Sequence, residues 1–327
     1  MLETIKTVLE TIIEMCPIAL MLSTPLIIAG LGGFYAERSG VVNIALEGCM
    51  LVGGFVGIAC LHVFSSVLSI SWPLFWALIA AILSGVAFVA LLAFAAIHMR
   101  ADQTIAGTAL NILAGGLTIY LCEIFFGSKT SPAITYSATF SRMTIPYLCD
   151  IPYIGRMFFT SNYPTTYIAV ILAAVTWFVA YKTPFGLHLR SCGEFPQASA
   201  SMGIHVVKMR WIGTLISGAL SAFAGAVLVL TTSTYFQLAS IHGLGFIAVA
   251  TLIFGKWNPW GVLGAGLFFG FAQTLGYYSN SIPFFQNWPS EFFAMFPYIV
   301  TILALILFSG KAVGPKASGQ IYDTGKR

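Results

Sequence analysis

The sequence predicts an all-α membrane protein: a polytopic bundle of eight to ten transmembrane helices, some of them broken or re-entrant. The composition carries this prediction. Of the 327 residues, 58% are hydrophobic and only 8% are charged, and the mean hydropathy is +0.90. Soluble globular domains carry about 25% charged residues. A soluble fold of this length is therefore excluded.

Nine stretches are apolar and long enough to cross a bilayer, which takes about 20 residues. They are residues 16–36, 41–62, 72–97, 104–127, 164–182, 209–230, 239–255, 259–279 and 292–309. The second and the seventh contain so much glycine or so many polar residues that we expect them to be broken or re-entrant. Residues 16–309 then form the membrane domain, and residues 1–15 are predicted to be a short amphipathic helix on the membrane surface.

The basic residues predict the orientation, because lysine and arginine concentrate in cytoplasmic loops. With residues 183–208 in the cytoplasm, eleven of the fifteen basic residues face inward, among them Arg38, Arg100, Lys182, Arg190, Lys208, Arg210 and Lys256. The opposite orientation would invert that ratio. Residues 310–327 are then a cytoplasmic C-terminal tail. Residues 128–163 become a large outer loop rich in aromatic residues, which lies on the lipid headgroups or receives an external partner.

The inner loop, residues 183–208, contains the signals of a short helix. Pro184 and Gly186 are expected to end the preceding span. Pro196 suits a first helical position and Gly203 the residue just past a helix end, which predicts about two helical turns between them. Such a helix is too short to be stable alone. It either packs against a partner or is an ordinary turn of an interspan loop.

Five polar side chains fall inside the predicted spans: Asn43, Glu47, Thr108, Asn111 and Gln273. A carboxylate at the bilayer centre costs about 2.5–3.5 kcal/mol on insertion scales, so Glu47 needs a structural or functional reason. Asn43 lies four residues before it, on the same helix face. Two interpretations stay open. The side chains line a pathway for a polar, uncharged solute, or they cross-link helices and satisfy the backbone of a broken helix.

Several chemistries have no sequence support. There is no GxxxxGK[ST] loop for ATP and no HExxH or GxSxG motif, so we expect neither an enzyme nor a nucleotide site of that kind. The six cysteines contain no CxxC pair and the five histidines are scattered, so no metal and no cofactor are expected. A nucleic-acid partner is not expected either.

Three stretches resemble one family, the permease subunits of bacterial ATP-binding-cassette (ABC) importers for ribose-type sugars, branched-chain amino acids and nucleosides. They are Gly40–Gly48 (GVVNIALEG), Pro184–Ile204 and Gly243–Gly261 (GLGFIAVATLIFGKWNPWG). The first is most similar to the nucleoside branch, and the second resembles the family's cytoplasmic coupling loop. The residues that match the loop are Gly186, Arg190, Gly193, Glu194, Pro196, Ala198 and Gly203, whereas Phe195 and Ser199 depart from its pattern.

The resemblance implies a subunit in the bacterial inner membrane that moves a nucleoside, or a related simple sugar, inward by alternating access. It implies three kinds of partner: ATPase subunits that hydrolyse ATP inside, a second permease subunit, and an external substrate-binding lipoprotein. The short helix would dock on the ATPase. Asn43, Thr108 and Asn111 could bind a base or ribose, and Glu47 could accept from sugar hydroxyls. The alternative is a stand-alone secondary transporter of a small polar solute, driven by an ion gradient.

Overall fold

The computed structural model describes residues 2–67, 71–134, 139–147, 149, 151, 154–241, 243–278, 295, 298–299, 302–303, 306 and 314–323. Within these ranges, the regular elements are helices, apart from one isolated antiparallel bridge between Met143 and Asn162. Six of the described helices are long and apolar enough to cross a membrane. The prediction of an all-α polytopic membrane bundle is confirmed.

The helices follow one another along the chain, and the longest connection lies between α4 and α5. They are α1 (Leu2–Ser39), α2 (Leu46–His62), α3 (Pro73–Ala93), α4 (Gln103–Phe126), α5 (Ile154–Phe158), α6 (Pro164–Lys182), α7 (Pro184–Glu194), α8 (Pro196–Ser201), α9 (Val206–Leu228), α10 (Leu244–Phe254) and α11 (Pro259–Tyr278). One π-helical turn extends each of α2, α3 and α9. The six candidate spans are built on α1, α2, α3, α4, α6 and α9.

Two predicted spans differ from continuous membrane helices. In the second, residues 41–45 are not helical and α2 starts at Leu46. In the seventh, α10 has only 11 residues and follows a short 3-10 turn at Leu238–Ser240. The eighth is α11, whereas most of the ninth, 292–309, lies outside the described residues. The total of eight to ten spans therefore stays a prediction.

The N-terminal segment does not form a helix of its own. Residues 2–15 belong to α1, a single helix of 38 residues that includes Pro17 and Pro25. The part of α1 that is apolar enough to cross a membrane is Ile13–Ser39, and the surface location of residues 1–15 stays a prediction. Prolines are tolerated in transmembrane helices because neighbouring groups satisfy the freed backbone.

The inner loop is more structured than predicted. Pro184 does not simply end a span: it opens α7, an 11-residue helix whose N-cap is Thr183, and the Thr183 hydroxyl accepts from the backbone N–H of Gly186 at 3.3 Å. Gly186 is therefore an interior residue of α7. A Cβ there would lie 2.2 Å from the carbonyl oxygen of Val179, so only glycine fits. The short helix is observed as α8, and Gly203 lies just after it at φ +83°.

Helix α9 lies at the centre of the bundle and packs against α1, α2 and α3 through small residues. A Cβ on Gly225 would lie 2.0 Å from the carbonyl oxygen of Met50, and one on Gly53 would lie 2.2 Å from that of Ala222. Between transmembrane helices, small residues allow this close approach, and van der Waals packing then holds the helices together.

Candidate functional site

The break between α1 and α2 brings together most of the polar residues that the sequence places in the membrane. The chain leaves α1 at Gly40, whose φ is +96°. A Cβ at that position would lie 2.9 Å from Nη2 of Arg210, so both the conformation and the space require glycine. Non-helical backbone at membrane depth is tolerated only where protein or water satisfies it. The break segment, residues 40–45, therefore needs partners from neighbouring helices.

Helix α4 supplies two of these hydrogen bonds and a third to the first turn of α2. Gln103 Oε1 accepts from the Val42 N–H at 2.7 Å, Asn111 Nδ2 donates to the Ile44 carbonyl at 3.0 Å, and Asn111 Oδ1 accepts from the Gly48 N–H at 2.8 Å. Gln103 and Asn111 are eight residues apart, which is about 12 Å along a helix. The break segment therefore runs alongside the first turns of α4. The sequence analysis missed Gln103, since nothing around it marks it as a backbone partner.

Asn111 also caps α2. The N-cap residue of α2 is Ala45, which has no side chain able to accept a hydrogen bond. An N-cap side chain normally accepts from the N–H of the second or third helical residue. Gly48 is the third residue of α2, so Asn111 provides from another helix the bond that Ala45 cannot make.

Asn43 and Glu47 are buried in the bundle, with 2% and 4% of their surface exposed. Asn43 Nδ2 donates to the Ser217 hydroxyl of α9 at 2.8 Å. Glu47 Oε1 accepts from the N–H of Gly243 at 3.0 Å, just before α10 begins. A carboxylate is favourable there because the N-terminal end of a helix carries partial positive charge. Both side chains thus connect the start of α2 to other helices.

Thr108 and Gln273 make different contacts. Thr108 is exposed on α4, and its hydroxyl donates to the carbonyls of Thr104 and Ile105 in its own helix. Gln273 is partly buried in α11, and among the described residues its Nε2 has no hydrogen-bond partner. Neither side chain has a described hydrogen bond to the break segment. The contacts of Asn43, Glu47 and Asn111 favour the second of the two interpretations, in which they hold helices and broken backbone.

A second polar region lies at the end of the bundle where the predicted cytoplasmic residues meet. Glu194, at the end of α7, pairs with Arg38 at 3.5 Å, and a Cβ on Gly193 would lie 2.3 Å from the Arg38 carbonyl oxygen. The guanidinium of Arg190 lies 4.6 Å from the centre of the Tyr181 ring. Helix α7 is therefore firmly attached to the membrane helices.

Helix α8 turns one face to the protein and one to solvent. Pro196 and Ser199 are buried. Phe195 and Met202, which flank the helix, are 62% and 82% exposed, and Ala198 lies between them on the exposed side. A small apolar patch is thus left uncovered on a short helix. Among the described residues, no group of three or more His, Cys, Asp or Glu side chains could hold a metal ion.

The comparisons with known proteins agree with this architecture. The family described as "Branched-chain amino acid transport system / permease component" matches residues 17–305. The chain is 46% identical over 312 residues to the guanosine ABC transporter permease protein NupQ of Bacillus subtilis, covering 95% of this chain and 97% of the relative. It is 40% identical over 311 residues to the nucleoside ABC transporter permease protein NupC of Lactococcus lactis, covering 94% and 96%.

A more distant relative is the guanosine ABC transporter permease protein NupP of Bacillus subtilis, 26% identical over 291 residues, which are 89% of this chain and 80% of the relative. No solved structure matches the chain. The family match covers most of the sequence, and NupQ and NupC each share at least 40% identity with the chain over nearly their full length. The chain is therefore a member of the family of branched-chain amino acid transport system permease components, and it is a transport subunit of an ABC importer.

Proposed function

We propose that this subunit carries a nucleoside into the cytoplasm by alternating access, and that separate subunits bind and hydrolyse the ATP. The observation that carries the proposal is the 46% identity, along almost the whole chain, to a permease named for guanosine. A second relative, at 40% identity, is named for nucleosides. The three stretches that carry the family resemblance lie at the break segment, at α7–α8 and at α10, which are the irregular parts of the fold.

In this proposal the ATPase subunit docks on α8. Ala198 lies within α8, Phe195 and Met202 flank it, and all three residues are exposed. The buried face rests on α7 through Pro196 and Ser199. The matching loop residues Gly186, Arg190, Gly193 and Glu194 support α8 from α7, and Gly203 ends it. A push on α8 therefore reaches α9 directly.

The second permease subunit and the pathway lie along α4. The exposed in-span positions of α3 and α6 are apolar, such as Leu83, Leu91 and Ile171, as expected of a lipid-facing surface. Helix α4 differs because it exposes the hydroxyl-bearing Thr104 and Thr108 together with apolar residues. Polar groups rarely face lipid. This face meets the second permease subunit, and Thr108 borders the pathway between the two.

The role of Asn43, Glu47 and Asn111 in that pathway is indirect: they hold the break segment against α4. Gln273 remains a predicted pathway residue. The partner permease is a related but different chain, since NupQ and NupP are two guanosine permease proteins of one bacterium and this chain resembles NupQ far more. The external lipoprotein docks on the outer loop, residues 128–163, where Tyr147 is 88% exposed. In this proposal the chain lies in the bacterial inner membrane.

Uptake measurements test the function. The chain is reconstituted into liposomes with its ATPase, second permease and lipoprotein partners, and radiolabelled guanosine uptake is measured. We expect uptake that requires ATP on the ATPase side and persists when a protonophore removes the ion gradient. Uptake by this chain alone, driven by an ion gradient, would show a secondary transporter. Uptake of glucose with none of guanosine would refute the substrate class.

Copurification tests the docking face. The double variant Phe195→Glu/Met202→Glu should lose the ATPase on purification in detergent, because two carboxylates replace apolar contacts. Tyr147→Glu makes a similar change on the outer loop and should retain the ATPase. ATPase recovery at the wild-type level with the double variant would place the docking site elsewhere.

A further inference from the structure

Residues 314–323, hereafter the strap, lie across the end of the bundle that carries α7 and α8. The Ala317 N–H donates to the Gly193 carbonyl at 2.9 Å, and the Lys316 N–H to Glu194 Oε2 at 3.5 Å. Ala317 is only 3% exposed. A Cβ on Gly314 would lie 2.9 Å from the Trp257 ring, so the start of the strap packs closely on that side chain. The strap is thus attached to the last residues of α7, immediately before α8.

The other end of the strap binds elsewhere. The Gln320 carbonyl accepts from Nη1 of Arg210, in the second turn of α9, at 2.9 Å, and Tyr322 places its ring 5.7 Å from the same guanidinium. Asp323 pairs with Arg100, just before α4, at 3.2 Å. The strap therefore contacts the chain both before and after α8, and it also connects that region to the start of α4.

Of the side chains that contact the strap, Arg210 is the most constrained. Its side chain is 98% buried, and its Nε and Nη2 have no hydrogen-bond partner among the described residues. A buried guanidinium is costly unless it is paired and hydrogen-bonded. Its described hydrogen bond goes to the strap, and its Nη2 also lies against Gly40, where the break segment begins. Removing the strap would leave Arg210 without any of its described acceptors.

We infer that the strap makes α7, α8 and the start of α9 move together with the break segment and α4, and that Arg210 is a positioning residue in this coupling. The inference rests on the proposed function, since it requires an ATPase that pushes on α8. With the strap in place, a displacement of α8 is passed to Arg210, and from there to Gly40 and α4. Without it, a displacement of α8 still reaches α9 along the chain, but the route through Arg210 to Gly40 and α4 is lost.

Truncation tests the inference in the complete reconstituted importer. A chain that ends at residue 313 should still assemble with its partners and allow ATP hydrolysis, but the guanosine transported per ATP hydrolysed should fall at least tenfold. Arg210→Lys keeps the charge but not the forked donor geometry, so it should lower the same ratio less. A wild-type ratio in the truncated chain overturns the inference. Absence of ATP-driven uptake by the wild-type complex instead overturns the proposed function.

Cross-linking distinguishes a permanent connection from a latch that must open, and it uses the full chain. Arg100→Cys and Asp323→Cys are combined and joined by a short bis-maleimide reagent, with each single variant treated in parallel as the control. Because the strap moves with α4, we expect the cross-linked importer to keep at least half of the uptake that it shows before treatment. A tenfold or greater loss on cross-linking, absent in the single variants, would show that the strap has to detach, and would overturn the inference.

Discussion

Replacing Asn111 by leucine tests whether the break between α1 and α2 is held from α4. The change keeps the number and branching of the side-chain heavy atoms but removes two hydrogen bonds, at 2.8 Å to the Gly48 N–H and at 3.0 Å to the Ile44 carbonyl. Loss of an N-cap bond costs about 0.5–2 kcal/mol. An unsatisfied buried carbonyl costs about 1–3 kcal/mol. We therefore expect a loss of about 2–4 kcal/mol in the free energy of unfolding.

The two bonds can be separated by Asn111→Asp. A carboxylate still accepts from Gly48, but it cannot donate to Ile44, and its second oxygen faces that carbonyl. The aspartate variant should therefore be as unstable as the leucine variant or more so. Thr118→Val is the matched control, because Thr118 is equally part of α4 and is buried, yet its hydroxyl bonds only to carbonyls of its own helix. It should change the free energy of unfolding by about 0.5 kcal/mol or less.

The assay is thermal unfolding of the purified protein in detergent, at one scan rate, because membrane proteins of this size often unfold irreversibly. At about 2 °C per kcal/mol, the lower end for large domains, Asn111→Leu should lower the apparent Tm by roughly 4–8 °C. The reasoning is refuted if the leucine variant melts within about 1 °C of wild type. It is also refuted if Thr118→Val lowers the Tm as much.

Three further predictions concern packing, backbone conformation and a thiol. Gly225→Ala would place a Cβ 2.0 Å from the Met50 carbonyl oxygen, so it should abolish the monodisperse peak in size-exclusion chromatography. The control Gly264→Ala, whose Cβ would have no atom within 4 Å, should behave as wild type. In Gly203→Ala the new Cβ meets no neighbour, but the backbone at this position has φ +83°. The resulting strain of about 1–2 kcal/mol should reduce uptake only partly, whereas Gly203→Val should abolish it. Equal losses of uptake in the two variants would contradict this prediction. Burial raises the pKa of the Cys192 thiol. Maleimide labelling at pH 7.5, followed by mass spectrometry, should therefore be slower than for free cysteine, and it should become faster only above the usual pKa range of thiols. Labelling as fast as that of free cysteine would mean that α7 is not packed.

The sequence was sufficient for the fold class, because hydropathy and scarcity of charge leave few alternatives for a chain of this composition. It also identified the second and seventh spans as irregular from their glycine and polar content. Helix α7 was missed for a local reason. Pro184 was interpreted as a helix breaker, although a threonine followed by proline is also a typical N-cap and first helical residue. That signal was available in Thr183 and Pro184.

The roles of the polar residues were harder to predict. The sequence placed Asn111 inside a predicted span, but whether its amide faces a solute or a backbone depends on residues 40–45 leaving the helical conformation nearby. Arg210 was assigned to the cytoplasmic side from the charge pattern. Nothing near it in sequence indicates burial, because its acceptor, the Gln320 carbonyl, is 110 residues away. Such contacts depend on tertiary structure, which local patterns do not record.

The glycine contacts around α9 limit how transport can work. At Gly225 and Gly53, the carbonyl oxygen of one helix occupies the space that a Cβ of the neighbouring helix would fill. The two helices therefore cannot slide past or roll over each other without a clash. Helices α1, α2, α3 and α9 must then tilt as a single block. By the same criterion, α10 and α11 belong to this block, because a Cβ on Gly245 would lie 2.4 Å from Cα of Glu47 and one on Gly270 would lie 2.7 Å from Cα of Ser23. A larger residue at any of these glycines would therefore disturb the whole block and not just one pair of helices.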